Sequence, residues 1–341
     1  MYSNEKKINK LFFYWLNISL ILVFFIIIVG GLTRLTNSGL SITEWELFKG
    51  LLPPLNIDSW EYYFNQYKQI PQYKILYPSM SLEEFKIIFF WEYFHRIIAR
   101  LIGLFFLIPL IYFHITKKIE KKYIKLSYVI AILILVQGVI GWFMVKSGLI
   151  NDVTVSHYRL SIHLSFAVII ISSIFWLIIN KKSNTMVKFF KFSKKNIPFL
   201  LFILLIFFQI IVGAFVSGLD AGQTYQSWPL MGNNYFPDDL SLKKLNTIFD
   251  FNNHSLVQFY HRNLAYLITF YSLFICLYIY MGRMVYLYRP LKILIFFLLL
   301  QVILGIFTLI SGVNIYLASM HQITSIILVF SALNLYYLRA K

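Results

Sequence analysis

The chain has 341 residues, of which 59% are hydrophobic and 13% charged, and its mean hydropathy is +0.70. Soluble domains carry about 25% charged residues, so the composition excludes an ordinary soluble protein and points to a membrane. A net charge of +17 would suit nucleic acid, but its distribution along the chain excludes that partner.

Eight apolar stretches are long enough to cross a bilayer, which takes roughly 20 helical residues. They lie near 11–33, 86–113, 124–145, 158–179, 197–218, 256–280, 291–310 and 315–338. Lys6, Lys7 and Lys10 precede the first, as in a signal peptide. Its apolar run is too long for one and no A-x-A cleavage site follows, so it is expected to remain as a helix. Nineteen of the Lys and Arg residues fall in the N-terminus, 117–125, 181–195, 283–292 and the C-terminus, with only Glu5 and Glu120 beside them. This positive-inside pattern predicts an all-α integral membrane protein with both termini cytoplasmic. The basic charge then reflects topology, helped by anionic lipid. Cys276 is the only cysteine, so no intrachain disulfide or CxxC motif exists.

Two long connections are predicted to face the outer side. The first, 46–84, contains Pro53–Pro54 and WEYYFNQYKQIPQYK (60–74); the second, 223–255, contains WPLMGNNYFPDD. Loops of this length usually cover a site or carry function. Short amphipathic helices are expected in them, anchored by Trp and Tyr at the interface.

The chain repeats itself. Gly30, Gly39 and Trp45 recur with the same gaps as Gly213, Gly222 and Trp228. The pattern H-R-x-x-A occurs at His95–Ala99 and His261–Ala265, and Q-x-x-x-G-x-x-x-x-x-S-G at Gln137–Gly148 and Gln301–Gly312. His163 in the fourth span answers His321 in the eighth. The ordered set predicts two pseudo-symmetric four-helix bundles, 1–180 and 197–341, joined by a basic cytoplasmic linker at 181–196. Both halves run the same way, as in a parallel repeat about the membrane normal. Gly30, Gly31, Gly138, Gly141, Gly213 and Gly305 are expected to let helices approach closely.

Of the seven histidines, His114, His157 and His254 sit at span ends or in a loop, where solvation explains them. His95, His163, His261 and His321 lie a short way inside even-numbered spans that all enter from the outer side. Ionisable residues in lipid are costly and mark functional sites. Two facing imidazoles per half suit a metal, and with no cysteine nearby that metal is haem iron held between histidines. A di-iron carboxylate centre competes, because Glu92 and His95 form an E-x-x-H pair on one helical face. That centre needs two such motifs, and the second half has Gln258 in place of the glutamate. Arg34, Arg96, Arg100, Arg159 and Arg262 lie near the same level. They are candidate partners for haem propionates, or they simply snorkel to the interface.

The stretches GGLTRLTNSGLSITEW (30–45), EFKIIFFWEYFHRIIARLIG (84–103), VSHYRLSIHLSFA (155–167), GAFVSGLDAGQTYQSWPLMG (213–232), VQFYHRNLAYL (257–267) and MHQIT (320–324) together resemble the heme A synthase family. The chain is similar to its cysteine-free branch, shared by proteobacteria and mitochondria. No basic, serine-rich transit segment is visible, which favours a bacterial protein of the inner membrane; the depth of the four histidines places the expected haem sites near its outer face. The resemblance implies oxidation of the C8 methyl of heme o to a formyl group, through hydroxylated intermediates, giving heme a for terminal oxidase biogenesis. It implies that His95 and His163 line the pocket of the substrate haem, that His261 and His321 ligate a resident haem b, and that Glu92 is catalytic. The pathway also makes heme o synthase a candidate partner.

The chemistry agrees with that assignment. Oxidising a porphyrin methyl builds positive charge on carbon, which a carboxylate stabilises strongly in a low-dielectric pocket. The carboxylate could also take the proton of an attacking water. Gln258 keeps the hydrogen bonding without the charge, which marks the first half as catalytic and the second as a holder of haem. A structural alternative is that Glu92 only pairs with Arg96. Two other functions remain open at this level. A bis-histidine b-type cytochrome would need no Glu92, and a transporter would not need four matched histidines.

Overall fold

The computed structural model describes residues 2–44, 49–150, 152–240 and 249–341; Trp45 of the repeat lies outside them. Among the described residues there are ten α-helices and no strand. They are α1 (Tyr2–Leu35), α2 (Ile57–Tyr67), α3 (Pro71–Leu76), α4 (Leu82–Thr116), α5 (Lys121–Gly148), α6 (His157–Ser183), α7 (Ile197–Gly218), α8 (His254–Met281), α9 (Tyr288–Ile310) and α10 (Ile315–Ala340). Eight of these are long and apolar enough to cross a membrane, and each of the eight predicted spans lies inside one of them. The chain is a multi-pass membrane protein. Leu101, Leu104 and Ile108 on α4 are exposed, as lipid-facing side chains of such a helix are. The chain divides into two compact units, Met1–Lys181 and Lys182–Lys341.

Local sequence explains where three of the four histidine-bearing helices begin. Ser81 and Glu84 form a reciprocal capping box at the start of α4. The Asn253 side chain accepts from Leu256 N at the start of α8, and Asn314 accepts from Tyr316 N and Leu317 N at the start of α10. Each cap satisfies backbone donors that a helix start leaves unpaired. In the connection after α1, where short helices are expected, two form, α2 and α3. Phe64 and Tyr67 of α2 bury against Phe85 and Phe89 of α4, with Leu40 and Ile70 completing the cluster. In the second connection, the described residues show only a 3₁₀ turn at Ala221–Gln223, and 241–248 lie outside them.

In the first unit, Phe12 and Trp15 of α1 pack on Phe106 and Phe113 of α4, with ring centroids 4.6–5.5 Å apart. Pro109 lies inside α4 and has no N–H to give the carbonyl of Phe105, four residues back. The indole Nε1–H of Trp15 donates to that carbonyl instead, at 3.0 Å. Lipid offers no replacement for a lost partner. Trp15→Phe is therefore expected to lower the thermal midpoint in detergent, with a stability loss of about 1 kcal/mol. Adding Pro109→Ala should restore most of it, because the helix can then make the bond itself.

In the second unit, the segment 184–196 packs on the last turns of α10. The Tyr336 hydroxyl donates to Phe189 O, and the Lys191 ammonium donates to Ala340 O at 2.6 Å. Tyr336 is fully buried there.

Candidate functional site

Each of the four intramembrane histidines packs against a glycine of the preceding long helix. A Cβ on Gly30 would lie 3.0 Å from His95 Cε1, and one on Gly141 would lie 3.0 Å from His163 Cε1. In the second unit the same close approach joins Gly213 to His261 at 3.0 Å and Gly305 to His321 at 2.9 Å. Real Cβ atoms rarely sit this close, so these glycines do more than let helices approach. They make the room in which the Cε1 edge of an imidazole comes up against backbone. Gly138, by contrast, has open space beside it.

Three of the four rings also meet a glutamine one helical turn before the glycine. Gln137 Nε2 lies 3.3 Å from His163 Nε2 and donates to His163 O at 3.0 Å. Gln209 Nε2 lies 3.2 Å and 3.3 Å from the two ring nitrogens of His261 and donates to His261 O at 3.0 Å. Gln301 Nε2 lies 3.3 Å from His321 Nε2, and its Oε1 accepts from the Thr324 hydroxyl. The sequence repeat contains Gln137 and Gln301 but gives them no role, and Gln209 falls outside it. The signal was available: a buried amide in an apolar helix, four residues before a glycine.

The residues fit haem iron. His261 and His321 face each other with ring centroids 6.5 Å apart and planes at 75°. One metal ion held between the two imidazoles would suit that separation. His163 lies within electrostatic range of His95 in the first unit. Nδ1 of His95, His163 and His321, and Oε1 of Gln137, Gln209 and Gln258, are buried with no hydrogen-bond partner. Buried polar atoms normally have partners, so unpartnered ones gathered at the histidines suit a site built around a bound group. Among the described residues no three His, Cys, Asp or Glu side chains come together, as a di-iron carboxylate centre would require. The other histidines lie apart from these pairs: His114 against Tyr128, His157 against Tyr158, and His254 at the start of α8.

Glu92 is buried, with 3% of its surface exposed, and all its hydrogen bonds run to two places. Oε2 accepts from Ser41 Oγ at 2.8 Å and Ile42 N at 2.9 Å. Oε1 accepts from Arg96 Nε at 3.0 Å and Arg96 Nη2 at 2.6 Å. Arg96 Nη2 also donates to Ile42 O at 3.0 Å. The second unit repeats this clamp with a neutral member. Gln258 Nε2 donates to Tyr225 O at 2.9 Å, and Arg262 Nη2 donates to the same oxygen at 3.0 Å. Tyr225 stands three residues after Gly222, as Ile42 does after Gly39, so both pairs grip the same point of the repeat. A cavity of about 290 Å³ opens beside the first clamp, lined among others by Ile42, Arg96, Trp142 and Lys146.

The remaining arginines are engaged locally. Arg34 Nη1 donates to Asn37 Oδ1 at 2.9 Å. Asn37 is tied in turn to Tyr77 and Gln72, and Gln72 accepts from the Tyr67 hydroxyl at 2.9 Å. Burial pushes the Tyr67 phenol above its usual pKa, so it remains a neutral donor. Arg159 lies 3.8 Å over the Phe143 ring and donates to Phe143 O at 2.8 Å. Arg100 donates to Gly50 O, and Arg262 also donates to Ser227 O and Leu230 O. The structure thus brings Glu92 to Arg96 and each histidine near its counterpart, while Arg34 donates to Asn37 and Arg159 to Phe143.

Residues 13–333 match the COX15-CtaA family, described as cytochrome oxidase assembly protein. A protein of Pelagibacter ubique named Heme A synthase is 49% identical over 337 residues, covering 97% of each chain. Proteins of the same name from Agrobacterium fabrum and Rickettsia felis are 40% and 39% identical, covering 96% and 92% of this chain and 89% and 94% of their own. With matches over nearly its whole length, the chain belongs to the COX15-CtaA family of heme A synthases.

Proposed function

We propose that the protein oxidises the C8 methyl of heme o to a formyl group, giving heme a for terminal oxidase assembly. The observation that carries this reading is the pair of similar clamps that differ in one charge. Each unit has a histidine helix with an arginine clamp on the loop before it, but only the first has a carboxylate, Glu92, in that clamp. The chemistry is thereby assigned to the first unit and haem retention to the second.

His95 and His163 hold the substrate haem. Glu92, one turn from His95 on the same helical face, stands about 5–6 Å away at the Cβ level. A fixed carboxylate there stabilises positive charge developing on a substrate carbon, because the site excludes water and the group is already oriented. It is also placed to accept a proton from an attacking water. Arg96 and Ile42 hold the carboxylate, which keeps it aimed. His261 and His321 hold a resident haem b, which would supply electron transfer. Gln258 leaves that second site without a base. Both sites are read as lying toward the outer face of a bacterial inner membrane, with both termini cytoplasmic, a reading that the charge pattern supports. Heme o synthase, which makes the substrate, is a natural neighbour in the membrane.

The test is to express the protein with a source of heme o, purify it, and identify extracted haems by chromatography. Heme a or a hydroxylated precursor is expected beside haem b. Haem b alone would overturn the reading in favour of an electron-carrying cytochrome, and a colourless protein would overturn it altogether.

A further inference from the structure

The glutamine that attends three of the histidines is missing from the fourth. In α5, α7 and α9 the residue one turn before the ring-packing glycine is Gln137, Gln209 or Gln301, and each amide reaches its histidine. In α1 the residue one turn before Gly30 is Ile26. Isoleucine fills space but can neither donate nor accept.

The difference has a physical consequence. The glutamine amides are themselves anchored: Gln137 and Gln209 on the carbonyl of the histidine they attend, and Gln301 on the Thr324 hydroxyl. A ring bounded by a glycine backbone on one side and an anchored amide at its nitrogen has little freedom to turn. Such a ring is already ordered and gives up little entropy when it takes a ligand. His95 has the glycine contact, 3.0 Å from a would-be Cβ, but no amide at the matching position; its Nδ1 is buried without a partner, as are those of His163 and His321, so the amide alone sets it apart.

We propose that Gln137, Gln209 and Gln301 are positioning residues that hold their histidines as fixed haem ligands, and that Ile26 leaves His95 as the exchangeable one. The inference rests on the reading of the four histidines as haem ligands. The distribution matches what each unit must do. A resident haem must stay, and both rings of the second unit are held. A substrate must enter and a product must leave, and the first unit has one held ring, His163, and one that yields. This asymmetry is independent of the exchange of Glu92 for Gln258, yet it singles out the same unit for turnover.

The full-length protein, reconstituted with haem b in detergent and reduced with dithionite, is exposed to carbon monoxide, and binding is followed in the Soret band. About half of the haem, that held by His95 and His163, should bind carbon monoxide, and the remainder should resist. Ile26→Gln should slow binding to the reactive half roughly tenfold, the scale of ordering one side chain. Gln137→Leu should speed binding to that half, and Gln209→Leu should open the resistant half. Carbon monoxide kinetics unchanged within twofold in Ile26→Gln would overturn the proposal. Were that variant not to fold, unchanged kinetics in both Gln→Leu variants would overturn it instead. Failure of the underlying reading looks different: the wild-type haem would lack a six-coordinate low-spin spectrum, or keep it in the histidine-to-alanine variants.

Discussion

Glu92→Gln is expected to reduce heme a formation per bound haem by at least about 100-fold, the usual scale for losing a general base or a charge-stabilising group. The structure shapes how this must be measured. Glu92 accepts four hydrogen bonds, two from Arg96 and two from Ser41 and Ile42. The amide keeps an acceptor for only part of that set, so a stability loss of about 1–3 kcal/mol accompanies the change. Activity is therefore compared per haem bound in folded protein, by pigment analysis after co-expression with a heme o source. Arg96→Gln separates the chemical role from a purely structural one. If Glu92 served only to neutralise Arg96 and pin Ile42, either substitution would break the same clamp and cost the same. The catalytic reading expects Arg96→Gln to retain at least tenfold more heme a formation per bound haem than Glu92→Gln. Equal losses in the two variants would remove Glu92 from the chemistry.

His261→Ala is expected to remove the resident haem, halving the haem content of purified protein and leaving the absorbance of the first unit's haem. The reasoning is geometric. His261 and His321 stand 6.5 Å apart between ring centroids, each lodged against a glycine and reached by a glutamine, so neither can move over to replace the other. His321→Ala should give the same loss, and His114→Ala, whose ring rests on Tyr128 away from these pairs, should give none. An unchanged haem stoichiometry in both His261→Ala and His321→Ala would disprove the assignment.

The span positions and the histidine count were legible without coordinates, because both are properties of a line. A run of about 20 apolar residues is long enough to cross a bilayer wherever it falls, and a histidine inside such a run is conspicuous because lipid makes it costly. The same holds for the contrast of Glu92 with Gln258, which needs only the alignment of FWEYFHR with VQFYHR. Partners are another matter. The carboxylate of Glu92 meets Ser41 and Ile42 some fifty residues away, and nothing periodic in the chain announces that meeting.

Tertiary structure also decided what the glycines and arginines do. Gly30, Gly141, Gly213 and Gly305 read in sequence as sites of helix approach. Only the neighbouring helix reveals that an imidazole fills the space each leaves. Arg34 and Arg159, set by sequence among propionate candidates, also meet Asn37 and Phe143, contacts the sequence does not announce. Trp15 met the carbonyl that Pro109 left unpaired, ninety residues along the chain. The sequence by itself determined the membrane spans, the ligand-type residues and the one-charge difference between the halves, since burial in lipid penalises each residue by its own chemistry. Which side chains face one another was decided by helix packing, because hydrogen-bond partners are chosen by rotation and register between helices that the linear chain does not encode locally.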